Sequence, residues 1–183
     1  MTQNDITTDD HGGLLMNIKP SLTVTKLSDA NPGDLVIIRD YTGPFLTLVV
    51  GNPFRAGRLL LWLGPALAQG PEVPALTNFP PDATVISLRG DYELRLPCEA
   101  ADWSLEEPRD GQCLVLCSDA VYIRAIYRWT GQIVRSYVEI AKGQLLVDNA
   151  GHFARPSGTC AYAAKWAFFT VEKEPRKLLS SGL

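Results

Sequence analysis

The sequence predicts a mainly β protein, built as an antiparallel β-barrel or as two packed β-subdomains with little helix. Three observations predict it. Short apolar or alternating runs recur from Leu22 onward, each bounded by Gly, Pro, Asn or Asp, and strands punctuated this closely mark sandwiches and barrels. Residues 121–140 alternate with a period of two on both arms of one hairpin, as strands with one buried face do. Little of the chain invites a helix: residues 100–109 hold at most one turn, and the Ala-rich residues 161–169 read equally as a short helix capped by Ser157 or Thr159 and as a strand.

The elements follow in order. Residues 1–20, rich in Thr, Asp, Asn and Gly, are expected to form a flexible lead to a β-rich domain over 21–173, with 174–183 a frayed tail. Asn31-Pro32-Gly33-Asp34 suits a type II turn, because Pro presets φ and Gly accepts the positive φ that follows it. Buried strands are expected over 35–39, 45–50 and 58–63, separated by Thr42-Gly43-Pro44, Gly51-Asn52-Pro53 and Ala56-Gly57. Residues 64–82 hold five prolines and two glycines, so they read as a loop, either a break between β-subdomains or a surface excursion. Strands over 84–89 and 92–96 meet at Gly90-Asp91, and another is expected over 112–117.

In the next strand Val121, Ile123, Ala125, Tyr127 and Trp129 carry no charge, whereas Tyr122, Arg124, Ile126 and Arg128 hold both arginines. The first set predicts the buried face and the second the face open to solvent or a partner. Thr130-Gly131 closes the hairpin, whose return arm sets Val134, Ser136, Val138 and Ile140 against Arg135, Tyr137 and Glu139. A short strand is expected over 144–147, before the turn Asp148-Asn149-Ala150-Gly151, and residues 166–171 are a closing strand where the helix reading fails. There is also an internal echo. Gly33-Asp34-Leu35-Val36-Ile37-Ile38 matches Gly111-Gln112-Cys113-Leu114-Val115-Leu116 in pattern, and each opens a run of strands. A duplicated β-unit would produce this, as would chance recurrence of strand–turn patterns.

Composition narrows the function. A hydrophobic fraction of 46% with 20% charged residues is that of a folded chain, and 183 residues bury a substantial core. The net charge of -3 argues against general nucleic-acid binding. No apolar run approaches a membrane span, and the polar, acidic start lacks the pattern of a secretory signal, so a cytoplasmic setting is expected. In that setting the four cysteines, Cys98, Cys113, Cys117 and Cys160, are expected to be free and mostly buried thiols.

Catalytic groups are sparse. In a strand, Cys113 and Cys117 lie roughly 13 Å apart and can share neither a disulfide nor a zinc ion. Cys160 and His152 are the one nearby thiol–base pair, and a helix starting near Thr159 would activate the Cys160 thiol. His11 sits alone in the lead, and Asp29, Asp34, Asp40, Asp82, Asp91, Asp110, Asp119 and Asp148 sit mostly beside turns, where they bond their own backbone. Neither phosphate-binding glycine motif occurs. No metal site and no cofactor are expected. Tyr122, Arg124, Arg128, Arg135 and Tyr137 share the presumed outer face of one hairpin, where Arg and Tyr side chains stack on or clamp anionic groups.

Two resemblances attach to these residues. The local SGTCAYA has the look of a cysteine-peptidase nucleophile segment, but papain-like enzymes place their His downstream and none follows Cys160 here. The order DGQCLVLCSDAVYIRAIYRWTGQ, GQLLVDNAGHFARP and WAFFTVEKEP, with PGDLVIIRD before them, resembles the C-terminal β-domain of LexA-type serine–lysine peptidases. The resemblance implies a related β-fold. It departs where the chemistry lies, since no Ser-Met segment precedes PGDLV and Arg124 falls where the general-base lysine would. It therefore implies a catalytically dead relative.

Three functions are compatible with these features, and the balance leans away from an enzyme. The first is a non-catalytic, bacterial or phage-related β-barrel binding module that uses the Arg/Tyr face or the Pro-rich loop. The second is a thiol enzyme built on Cys160 and His152. The third is an assembly subunit. The expected partner is a protein or a small anionic ligand, with self-association open and no membrane involved.

Overall fold

The computed structural model describes residues 6–8, 14–16, 21–40, 43–63, 76–89, 92–95, 103–108, 113–117, 120–163, 166–170 and 177–181. In chain order the strands begin with β1 (Ile6–Thr8), β2 (Leu14–Met16), β3 (Ser21–Lys26), β4 (Leu35–Asp40), β5 (Gly43–Gly51) and β6 (Arg58–Trp62). They continue with β7 (Leu76–Asn78), β8 (Thr84–Arg89), β9 (Tyr92–Arg95), β10 (Cys113–Leu116) and β11 (Val121–Trp129). The last are β12 (Gln132–Glu139), β13 (Gln144–Leu145), β14 (Ala161–Ala163), β15 (Trp166–Thr170) and β16 (Lys177–Ser181). Among the described residues the sole helical element is the short turn Leu27–Asp29.

The protein is mainly β, and six strands close into a barrel in the order β5-β6-β7-β11-β12-β13, with β13 returning to β5. Two seams are parallel, Leu76 beside Tyr127 and Gln144 beside Gly51, and the other four are antiparallel. Leu48, Val50, Leu59, Leu61, Leu76, Ile123, Ala125, Val138 and Leu145 fill the interior. Each comes from alternate positions of a strand, as the pleat requires. Tyr127 joins them because its hydroxyl accepts a hydrogen bond from Asn78 Nδ2 at 3.0 Å. Trp129 lies at one end of the barrel, against Phe54 and Phe153.

β7 lies within the Pro-rich stretch and joins β6 to β11, so one barrel draws strands from both sides of residues 64–82. Residues 64–75 fall outside the described residues. Residues 161–163 and 166–170 are strand, which settles the helix-or-strand ambiguity there. Within the first twenty residues β1 and β2 pair antiparallel, and near the chain's end β16 pairs with β15.

The turns follow from residue chemistry. Gly33 takes φ +93° in the Asn31–Asp34 turn, closed by Asp34 N–H donating to Asn31 O at 3.0 Å. Thr130 and Gly131 both take positive φ, +47° and +84°, the pattern of a tight two-residue hairpin.

The strands outside the barrel reveal a repeat. β4 pairs with β5 and β8, and β10 likewise pairs with β11 and β14. The registers coincide. Leu35–Leu48, Val36–Ser87, Leu48–Leu61 and Leu61–Leu76 recur as Leu114–Ile123, Val115–Tyr162, Ile123–Val138 and Val138–Leu145. The bond from Leu63 N to Leu46 O recurs from Ile140 N to Val121 O. Even Thr23 beside Ser87 recurs, as Ser104 beside Tyr162. β9, which follows β8, and β15, which follows β14, pair with each other. The echo seen in sequence thus reflects a structural repeat, but one residue out of step: Leu35-Val36-Ile37-Ile38 corresponds to Leu114-Val115-Leu116-Cys117.

The closing seam is tightly built. Gly51 N–H donates to Gly143 O at 2.8 Å, and Gly33 N–H donates to Val49 O at 2.8 Å. Gly143 takes φ +57°, and a Cβ there would overlap Gly33 N and Pro32 C and come within 2.6 Å of Val49 O. All three are backbone atoms, which cannot swing aside. Gly143→Ala should therefore destabilise the protein by more than about 4 kcal/mol. Chemical denaturation tests this, with Gly57→Ala as the control, because Gly57 is also in positive φ but has open space around it.

Candidate functional site

The outer side of β10, β11 and β12 carries the residues singled out by sequence, and the structure divides them into two groups. Tyr122, Arg124 and Tyr137 are buried, with Arg124 only 2% exposed. Arg128 and Arg135 are exposed. The expectation that Tyr122, Arg124 and Tyr137 meet solvent or a partner is therefore corrected. A period of two separates two faces but does not say that only one of them is covered. Here the second face is covered too, by residues 103–108, which form a strap, and by β14.

The strap supplies what a buried arginine requires. Arg124 Nη1 donates to Glu107 Oε1 at 2.9 Å and also to Pro108 O. Tyr137 Oη donates to the same Glu107 oxygen at 2.7 Å. Arg155 Nη1 stands 3.7 Å from Glu107 Oε2. Arg124 and Tyr137 meet because they are register partners on β11 and β12. Burial pushes the Glu107 carboxyl up, but the hydrogen bonds from Tyr137 and Arg124 and the charges of Arg124 and Arg155 outweigh it and hold the pKa below the ordinary value. Burial and the bond to Glu107 push the Tyr137 hydroxyl well above the usual tyrosine range. Sequence reasoning missed Glu107, which sits in the polar stretch 100–109 read as holding at most one helical turn. The need of a buried guanidinium for a carboxylate points to it only once the burial of Arg124 is known.

The strap hangs on β14. Ser104 N–H donates to Tyr162 O at 2.9 Å, and Tyr162 N–H returns the bond to Ser104 O at 2.8 Å. β14 in turn pairs with β10 over three residues.

The cysteine expectation is also corrected. Cys117 and Cys160 form a disulfide between the end of β10 and the start of β14, with Cα atoms 4.5 Å apart. The pair Leu116–Ala161 is their immediate neighbour in register, so strand pairing itself brings the two sulfurs together. The sequence reading weighed Cys117 only against Cys113, its neighbour in the chain. Cys113 is a free, fully buried thiol whose pKa burial pushes up to about 11, so it is a poor nucleophile. Cys98 lies outside the described residues.

The Cys160–His152 pair loses its two chemical supports. Cys160 Sγ is bonded to Cys117, and no helix begins at Thr159 to activate a thiol. His152 is exposed on a turn organised by Asp148, whose Oδ1 accepts the backbone N–H groups of Ala150 at 2.9 Å and His152 at 2.8 Å. Those backbone bonds hold the Asp148 carboxyl below its usual range. Among the described residues, no group of three or more His, Cys, Asp or Glu is placed to hold a metal ion.

Comparison with known proteins finds no match to any family model, curated protein or solved structure. The resemblance to LexA-type peptidases therefore rests on the quoted strands alone.

The carboxylate at Glu107 sets a pH dependence. Its pKa is lower in the folded state, so the stability it contributes is present above the unfolded value of about 4.3 and is lost as pH falls through the folded value. Glu107→Gln leaves a buried guanidinium without its counter-charge and should cost about 3 kcal/mol near neutral pH. The cost should shrink as pH falls from the unfolded value through the lower folded one, because the unfolded chain takes up the proton first. Urea denaturation of both proteins between pH 3 and 7 measures this, and a pH-independent difference would contradict it.

Proposed function

We propose that this chain is a non-catalytic β-barrel interaction module that binds an acidic protein surface through the outer end of the β11–β12 hairpin. One observation carries the reading. Where the strap ends its cover, Arg128 faces Ile133 across the hairpin and Ile126 faces Arg135. Arg128, Arg135 and Ile133 are all exposed, Ile133 at 45%. Cross-strand partners lie side by side and diagonal neighbours are within reach of long side chains, so two cations and two aliphatic groups alternate in one small patch. A basic patch on a chain of net charge -3 selects for acidic contacts, and its isoleucines favour a protein over a bare anion.

The first repeat unit offers no equivalent patch. Residues 52–57, which join β5 to β6, form no strand, whereas β11 and β12 run on to a two-residue turn. The hairpin end is thus an elaboration of the second unit alone. The proposal includes a cytoplasmic setting, in which the Cys117–Cys160 disulfide is open to reduction.

A synthetic peptide of alternating glutamate and leucine tests the reading. It should perturb the backbone amide resonances of residues 126–135, and Arg128→Glu with Arg135→Glu should weaken its binding about tenfold, roughly 1.4 kcal/mol. Equal binding by the wild type and the double variant would remove this face. Binding of inositol hexakisphosphate in place of the peptide would turn the reading to a small anionic ligand.

A further inference from the structure

The repeat allows one half of the molecule to serve as the reference for the other. In the first unit the outer face of the barrel carries an apolar cluster that includes Val36, Ile38, Val49, Leu60 and Val85. The register places Val115, Cys117, Arg124, Tyr137 and Cys160 at the corresponding positions of the second unit. An apolar Ile38–Val85 neighbourhood has become the Cys117–Cys160 disulfide, and a Val49–Leu60 pair has become Arg124–Tyr137. The covering strand has changed as well. β3 pairs with β8 along six residues, whereas among the described residues the strap meets β14 at the Ser104–Tyr162 bridge. β14 is three residues long. Among the described residues, a six-residue ladder over an apolar cluster has given way to a shorter one, a carboxylate held by cations, and a covalent link.

We infer that the Cys117–Cys160 disulfide is a redox latch, which holds β14 and the strap over the Arg124–Tyr137 face and releases them when a dithiol reductant opens it. A thiolate of the reductant attacks Cys160 Sγ, the more exposed sulfur, since Cys117 is only 4% exposed. The S–S bond breaks, Cys117 leaves as a thiolate and takes up a proton, and a mixed disulfide remains on Cys160. The second thiol of the reductant displaces Cys160, which is protonated in turn, and the reductant departs as a cyclic disulfide. Two electrons and two protons have then passed to the protein. Among the described residues β14 then keeps three register pairs, and the strap keeps one bridge to β14, the Glu107 and Pro108 contacts and the packing of Trp103 on the core. Segments with so few pairings open locally before the barrel does. Opening uncovers the buried Cys113 thiol on the neighbouring strand, which reports the event.

The test is hydrogen exchange of the full chain with and without dithiothreitol, with site-resolved alkylation of Cys113 by N-ethylmaleimide. Reduction should speed exchange at residues 103–106 and 161–163, and labelling of Cys113, by about tenfold or more relative to any change in β3 and β8. The paired substitutions Cys117→Ile and Cys160→Val install the first unit's side-chain types and should abolish the response to dithiothreitol. Equal acceleration in the two units would show a global staple and overturn the latch. So would an unchanged Cys113 labelling rate. The comparison within the reduced wild type decides the matter even if the paired variant fails to fold.

Discussion

The closing seam of the barrel is the constraint on which the rest of the structure depends. A six-stranded sheet closes only if its last strand returns to its first, and here β13 offers two residues for the purpose. Gln144 reaches Gly51 because Gly143 lies against the Pro32-Gly33 turn with no room for a side chain. That turn is fastened in its own right, by Asp34 Oδ2 accepting the Asn31 N–H at 2.8 Å. Three glycines from distant parts of the chain therefore meet where the two repeat units join. Everything inside the barrel, from Leu48 to Leu145, is enclosed only as long as they do.

Given a closed barrel, the outer face of each unit is free to diverge, and the two have done so in opposite directions. The first unit keeps an aliphatic layer closed by Trp62, whose indole N–H donates to Thr77 Oγ1 at 2.7 Å. The second buries a guanidinium, a phenol and a carboxylate at corresponding positions. Hydrophobic replacements at such sites are often as stable or more so, whereas one missing partner is costly. The polar arrangement is thus better understood as a source of specificity and control than of stability. The exposed Arg128–Arg135 patch lies just beyond it on the same hairpin, so the order of the buried cluster fixes the strand that presents the patch.

Much of the fold was legible in the sequence because its signals are local. The alternation from Val121 to Val138, the Thr130-Gly131 turn and the Asn31–Asp34 turn each depend on residues close in the chain, and the strands fall where these signals place them. β7 was not legible, because three residues in a Pro-rich stretch become a strand only by pairing with β6 and β11. The site was legible by composition but not by burial. Arg124 and Arg128 look alike in sequence, four residues apart on one face. They differ because Glu107, seventeen residues before Arg124, folds over one of them and not the other. Cys117 and Cys160, 43 residues apart, meet for the same kind of non-local reason.

The division of the hairpin face between a buried cluster and an exposed patch is the central claim, and the guanidinium protons of its arginines test it most directly. Nitrogen-15 NMR of arginine side chains at low temperature should show Arg124 protons protected from exchange with water and coupled to the Tyr137 hydroxyl region, with Arg128 protons exchanging freely. Equal, fast exchange at Arg124 and Arg128 would contradict the account, because it would place both arginines in solvent and remove the distinction on which the proposed binding surface rests.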